Sequence, residues 1–182
     1  MARPGRARFW CALLLAGASA AASAHPVDEL VQGSYLTLVP GGVRLELELT
    51  PGTQVAHHLL PALDTNRDRR ISDAEARAFA QKALGQMTLV LDGHPVAWRL
   101  QKVAAPDYRT FRLGGVLKVY ALAPRPERAG PRLLRFANLY DPLPSRCIAN
   151  IFLQPRGAWR VTGQAHSNDG RVLIVRYAVA GR

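Results

Sequence analysis

Oxygen-bearing side chains recur at every second residue in a short polar stretch in the first half of the chain. Asp64, Asn66 and Asp68 are three such residues within five positions. Their side chains are short, so they can converge on one point if the backbone coils around it. Carboxylate and amide oxygens are the ligands that hard divalent cations prefer. The spacing therefore predicts a cation-binding loop that begins at Asp64.

The twelve residues from 64 to 75 resemble the calcium-binding loop of an EF-hand. In such a loop the first, third, fifth, seventh, ninth and twelfth places supply ligands, the seventh through its backbone carbonyl and the ninth directly or through a water. The metal ligands implied by this resemblance are Asp64, Asn66, Asp68, the carbonyl of Arg70, Ser72 and both carboxylate oxygens of Glu75. The implied ion is a structural Ca²⁺.

Two features depart from the usual EF-hand pattern. The sixth place is normally Gly because its backbone is left-handed, but here it is Arg69, which costs about 1 kcal/mol in that conformation. Arg67, Arg69 and Arg70 also bring positive charge close to the carboxylates, which lowers the affinity for a divalent cation. The alternative interpretation is a polar turn that has the shape of an EF-hand and binds no metal.

Helix signals stand on both sides of the loop. Ser72 and Glu75 have the spacing of a capping box at a helix start. The apolar residues that follow are spaced as one buried helical face that ends before Gly85: Ala76, Phe79, Ala80, Ala83 and Leu84. The entering helix is predicted to begin with Thr50 as N-cap and to stop before Pro61. The spacing thus predicts a helix-loop-helix insert over residues 51–84.

The rest of the chain has the pattern of a mainly β protein. Arg44, Glu46 and Glu48 alternate with apolar residues, and Gly or Pro turns separate the apolar runs. We predict an antiparallel β-sandwich-like domain, with a hairpin over 33–50, short strands on either side of Asp92-Gly93, and further strands at 108–113, 116–123, 133–140, 147–153, 159–163 and 172–179.

The first residues predict export from the cytoplasm. Arginines at positions 3, 6 and 8 precede an apolar run over 9–16, and small residues follow at 22–24. This order is typical of a signal peptide over residues 1–24. It predicts a periplasmic or secreted protein with one domain over residues 25–182 that starts at His25, and no segment of that domain is apolar and long enough to span a membrane.

Composition excludes some functions and leaves others open. The formal net charge is +11, but the arginines are scattered and form no basic run with interleaved aromatic residues, so nucleic-acid binding is not predicted. No nucleophile elbow, zinc-protease helix or phosphate-binding Gly loop is present, so no catalytic residues are predicted and the chain is expected not to be an enzyme. Cys147 is interpreted as a small core residue.

The order of features is similar to one known family. A signal peptide, a start at His25-Pro26, a hairpin, a short helix, the Asp-rich loop and Asp92-Gly93 resemble the extracytoplasmic domain of nickel/cobalt exporters and of urease/hydrogenase-accessory membrane proteins. The resemblance covers residues 25–100. It implies a metal ion as ligand and an envelope membrane transporter as partner, with this chain as an accessory or binding module.

That resemblance also raises an alternative function, a periplasmic carrier of Ni, Co or Cu. A free amino terminus together with the His25 side chain can chelate a transition metal. Pro26, however, removes a backbone amide that a square-planar site would use. His57 and His58 are adjacent on a predicted helix, so they are expected to point about 100° apart and not to face one ion.

Overall fold

The computed structural model of the chain describes residues 27–126, 128–155 and 157–181. The predicted signal peptide and the predicted chelating residue His25 lie outside the described residues.

Ten strands and three helices make up the described part of the chain. The strands are β1 (Leu30–Val39), β2 (Gly42–Pro51), β3 (Met87–Leu91), β4 (His94–Pro95), β5 (Arg99–Ala104), β6 (Leu117–Pro124), β7 (Gly130–Asn138), β8 (Ser145–Leu153), β9 (Trp159–His166) and β10 (Val172–Val179). The helices are α1 (Ala56–Leu63), α2 (Asp73–Leu84) and α3 (Tyr108–Arg112). The prediction of a mainly β protein is confirmed.

The strands form two five-stranded sheets. One sheet, here sheet A, has the order β5-β6-β2-β1-β8, and the other, sheet B, has the order β4-β3-β7-β10-β9. Neighbouring strands pair antiparallel, with the exception of β1 and β8, which pair in parallel. That exception is possible because β8 follows β1 only after more than a hundred residues, so no tight turn has to join them.

Alternation of apolar and polar residues places each sheet against the core. On β2, Val43, Leu45, Leu47 and Leu49 are almost fully buried. Strands of both sheets and all three helices contribute to the same buried apolar cluster. The β1–β2 hairpin and most later strands thus lie within a few residues of their predicted positions.

The helix before the polar loop differs from its prediction at both ends. β2 continues through Pro51, and α1 begins only at Ala56 with no side-chain cap. Pro61 lies inside the helix instead of stopping it. Proline removes its own N–H and its ring crowds the carbonyl of the preceding turn, but packing of the neighbouring Leu59, Leu60 and Leu63 into the core favours the continued helix.

The predicted strand over 108–113 is wrong, since these residues form α3. The side chain of Asp107 accepts a hydrogen bond from the backbone N–H of Thr110 at 2.9 Å, and Phe111 is fully buried. This N-cap favours the helix over a strand.

None of the helices in the described ranges is long and apolar enough to cross a membrane.

Candidate metal centre

The backbone of the polar loop turns twice through the left-handed region. Arg67 has φ of 61° and Arg69 has φ of 63°. Arg69, at the sixth place of the loop, thus has a left-handed backbone although it carries a Cβ atom. A residue with a Cβ atom costs about 1 to 2 kcal/mol there, so other interactions must hold the turn.

Hydrogen bonds from the backbone to the predicted ligands hold the two turns. The carboxylate of Asp64 accepts from the N–H of Asp68 at 3.1 Å and from that of Arg69 at 3.1 Å. Asn66 Oδ1 accepts from the same Asp68 N–H at 3.0 Å, and Asp68 Oδ1 accepts from the N–H of Arg70 at 2.8 Å. The side chains of three predicted ligands thus accept the backbone hydrogen bonds that shape the turn, as short Asp and Asn side chains do in turns.

Glu75 joins the start of the loop to its end. Its Oε1 accepts from the N–H of Thr65 at 2.8 Å and from the Thr65 hydroxyl at 3.0 Å. Its Oε2 accepts from the hydroxyl of Ser72 at 2.7 Å and from the Ser72 N–H at 3.1 Å. Ser72 Oγ accepts in turn from the N–H of Glu75, so the predicted capping box is confirmed.

These donors also keep Glu75 ionised. The hydrogen bonds from Ser72, followed by those from Thr65 and Asn66, lower the pKa of Glu75 from 4.5 to about 2. At neutral pH the twelfth place of the loop therefore carries a full negative charge.

The core holds the loop at both ends. Asp64 is only 5 % exposed, and it follows the fully buried Leu63. Ile71, at the eighth place, packs against the core, as do Phe79 and Ala80 of α2. Asn66, Asp68, Arg70 and Ser72 are exposed. The loop thus has a fixed base and a polar rim that is open to solvent.

The structure does not gather the three carboxylates into a closed cage. Within the described residues, no group of three or more His, Cys, Asp or Glu side chains is close enough to hold a metal ion. In the loop, Asn66 Nδ2 donates to Asp68 Oδ2 at 3.0 Å, so these two side chains bond each other. The donors still fit a hard cation, because the side chains at the first, third, fifth and twelfth places all offer carboxylate or amide oxygens.

The histidines of the described residues lie on three elements: His57 and His58 on α1, His94 on β4 and His166 on β9. Contrary to the expectation that they point apart, the rings of His57 and His58 are in contact, with centroids 3.9 Å apart. His94 Nδ1 lies 2.8 Å from the carbonyl oxygen of Asp92, and His166 Nε2 lies 2.9 Å from that of Ala149. Neither of these two extends the His57–His58 pair into a larger ligand set.

Cys147 lies on β8, an edge strand of sheet A. It is 7 % exposed, and burial raises the pKa of its thiol. A protonated buried thiol is a weak nucleophile, so the interpretation of Cys147 as a small core residue agrees with its environment.

Sequence reasoning missed a second polar cluster, which we call the inter-sheet network. Asn138 Nδ2 donates to Gln32 Oε1 at 2.9 Å, and Gln32 Nε2 donates to Ser145 Oγ and to the carbonyl of Tyr140, both at 2.9 Å. Asn138 Oδ1 accepts from the N–H of Tyr140 at 3.0 Å. The network connects β1 of sheet A to the end of β7 in sheet B. Gln32 is over a hundred residues from its partners Asn138, Tyr140 and Ser145, so no local spacing could reveal the network.

In comparisons with protein-family models, curated proteins and solved structures, nothing matched this chain.

Proposed function

We propose that this chain is a periplasmic or secreted calcium-binding protein, non-catalytic, in which an EF-hand inserted between β2 and β3 of a β-sandwich holds a structural Ca²⁺. The ligands are those of the loop: Asp64, Asn66, Asp68, the carbonyl of Arg70, Ser72 and Glu75. In the family resemblance, such a module serves an envelope metal transporter.

The backbone path of the loop carries the proposal. Arg69 adopts the left-handed conformation at the sixth place, where an EF-hand loop normally uses Gly. The turn thus follows this path although a residue with a Cβ atom costs about 1 to 2 kcal/mol there. The hydrogen bonds of Asp64 to the N–H groups of Asp68 and Arg69 support the same path.

Electrostatics set the expected strength of binding. An ionised Glu75 binds a cation without first losing a proton, which favours Ca²⁺ at neutral pH. Arg67, Arg69 and Arg70 oppose it, and the existing hydrogen bonds of the carboxylates must rearrange. We therefore expect a dissociation constant of about 10⁻⁴ to 10⁻³ M, the range of extracellular calcium modules.

A bound Ca²⁺ would supply positive charge at the centre of the loop and neutralise its carboxylates. The helices on either side already pack into the core through Leu63, Ile71 and Phe79. The ion therefore stabilises an arrangement that exists without it. Binding appears as added stability, by mass action, and no opening of the helices is required.

Calorimetry tests the proposal most directly. The chain is stripped with a chelator and titrated with Ca²⁺, and its melting temperature is followed in parallel. We expect saturable heat and a rise in melting temperature, both abolished in Glu75→Gln, because the amide removes one of the charges that close the loop. Asp73→Asn is the matched control: it removes a neighbouring carboxylate at the first residue of α2 that has no ligand role.

Two outcomes contradict the proposal. If Glu75→Gln keeps the full calcium response, the assignment of ligands is wrong. If Ca²⁺ gives no heat while Ni²⁺ or Cu²⁺ binds tightly, the metal site is elsewhere, and the alternative of a transition-metal carrier replaces the calcium proposal.

A further inference from the structure

A polar groove, separate from the loop and from the inter-sheet network, lies on the outer face of sheet A. It is a groove of about 580 Å³. We call it the Arg44–Lys102 groove, and its main lining side chains are Arg44, Gln101, Lys102, Tyr120, Leu122 and Gln154. Its volume is within the range of pockets that hold small molecules.

A β-bulge creates one wall of the groove. The pairing of β5 with β6 shifts between Leu100 and Lys102, so Gln101 is an extra residue in β5. Gln101 and Lys102 are consecutive and both exposed, which breaks the usual alternation along a strand. Bulges of this kind occur next to binding sites because they redirect a side chain.

The charges in the groove are not neutralised. Lys118 forms ion pairs with both Glu46 and Glu48, the two carboxylates of β2 on this face, at 3.2 Å and 2.5 Å. Among the described residues, Arg44 and Lys102 have no carboxylate within ion-pair distance, and no carboxylate lines the groove. Two cations therefore face the same cavity without a counter-ion from the described chain.

Apolar and aromatic groups complete the lining. Lys102 Nζ lies 5.9 Å from the ring centroid of Tyr120, its partner in the register of β5 and β6. Leu122 is opposite Arg44 in the register of β2 and β6, and the turn residue Pro40 also lines the groove. The side-chain amides of Gln101 and Gln154 add hydrogen-bond donors. A site of this composition suits a molecule with one charged end and one apolar end.

We propose that the Arg44–Lys102 groove binds a small organic anion. Its carboxylate or phosphate interacts with Arg44 and Lys102, and its apolar body lies against Tyr120 and Leu122. Planar guanidinium groups and lysine ammonium groups both bind these anions, and the open groove leaves room for an unbranched body.

Calorimetric titration with octanoate, octyl phosphate and octanol tests the proposal. The protein is first stripped of metal with a chelator, which is then removed because it is itself an organic anion. We expect saturable binding of at least one anion, and we expect octanol to bind at least about tenfold more weakly, because it lacks the charge. The comparison of octanoate with octyl phosphate identifies which anion the groove prefers.

Matched double variants locate the binding site. Arg44→Gln combined with Lys102→Gln should weaken anion binding at least about tenfold. Arg77→Gln combined with Lys82→Gln removes the same two charges from the exposed face of α2 and should change affinity by less than about twofold. Melting curves show that each variant is folded.

The proposal is overturned if neither anion gives saturable heat at about 10 mM, a concentration that reveals even weak sites. It is also overturned if the groove variant binds as well as the unchanged chain. An equal loss in the α2 variant would show that net charge, and not the groove, attracts the anion.

Discussion

The inter-sheet network and the polar loop of residues 64–75 are both clusters of hydrogen-bonded polar side chains, but most of their members lie in opposite environments. Gln32 is fully buried and Asn138 is 2 % exposed, whereas Asn66 and Asp68 lie on the surface. The network consists of neutral groups from distant parts of the chain. The loop combines the carboxylates of Asp64, Asp68 and Glu75 with neutral side chains within twelve consecutive residues.

The difference shows what each cluster can do. In the interior, no water can replace a lost hydrogen bond, so an unpaired amide destabilises the fold. The network therefore fixes how the two sheets meet and cannot exchange partners. On the surface, each hydrogen bond competes with water and contributes little. Breaking these exposed hydrogen bonds therefore costs the loop little free energy, and the calcium proposal depends on this property.

The largest effect is expected from Asn138→Leu. This change leaves Gln32 Oε1 and the N–H of Tyr140 buried without their partner, each at a cost of about 1 to 3 kcal/mol. We expect a loss of about 3 kcal/mol in the free energy of unfolding, measured by urea denaturation in the presence of a chelator.

Asn66→Ala is the corresponding change in the loop. It removes the hydrogen bonds of an exposed amide, so we expect a loss of less than about 1 kcal/mol under the same conditions. Equal losses in Asn138→Leu and Asn66→Ala would contradict the contrast between the two clusters.

The sequence could predict the loop because its interactions are local. The spacing of Asp64, Asn66 and Asp68, the capping box of Ser72 and Glu75, and the buried face of α2 all depend on residues fewer than thirteen apart, and each is present in the structure. The binding of Ca²⁺ itself remains a prediction, because a ligand spacing does not fix how the carboxylates converge.

Features that depend on distant partners were beyond prediction. The parallel pairing of β1 with β8 and the inter-sheet network require the whole fold. The bulge at Gln101 becomes visible only when β5 is aligned with β6. α3 was missed for a different reason: its signal, Asp107 as an N-cap after Pro106, was present but was outweighed by the surrounding strand pattern.

An effect smaller than that of Asn138→Leu is expected from Arg69→Gly, which tests whether the loop is strained. Glycine adopts φ of 63° without a clash, so we expect the free energy of unfolding to rise by about 1 kcal/mol without calcium. It should also tighten calcium binding, because a positive charge leaves the loop. Thermal and urea unfolding measure the first effect, and calorimetry measures the second.

Arg69→Gln separates strain from charge. Glutamine removes the positive charge but keeps the Cβ atom, so it should tighten calcium binding and leave the chelated protein no more stable than before. If glutamine stabilises the calcium-free protein as much as glycine does, the stabilisation comes from removing charge repulsion and not from relieving backbone strain.

The smallest effect is expected from lowering the pH, which should change the contribution of the loop to stability and leave that of the inter-sheet network unchanged. The pKa of Glu75 is lowered from 4.5 to about 2 in the folded chain, so its hydrogen bonds stabilise the fold fully above pH 4.5 and lose that contribution as the pH falls toward 2. Since Glu75 is partly exposed, we expect the stability difference between the unchanged chain and Glu75→Gln to be modest at pH 6 and to shrink steadily between pH 4.5 and 2.

The difference between the unchanged chain and Asn138→Leu should stay constant over the same interval, because the side chains of the inter-sheet network do not titrate there. Urea unfolding at a series of pH values measures both differences, and a Glu75→Gln difference that does not change with pH would show that the carboxylate is not held in its ionised form by Ser72 and Thr65.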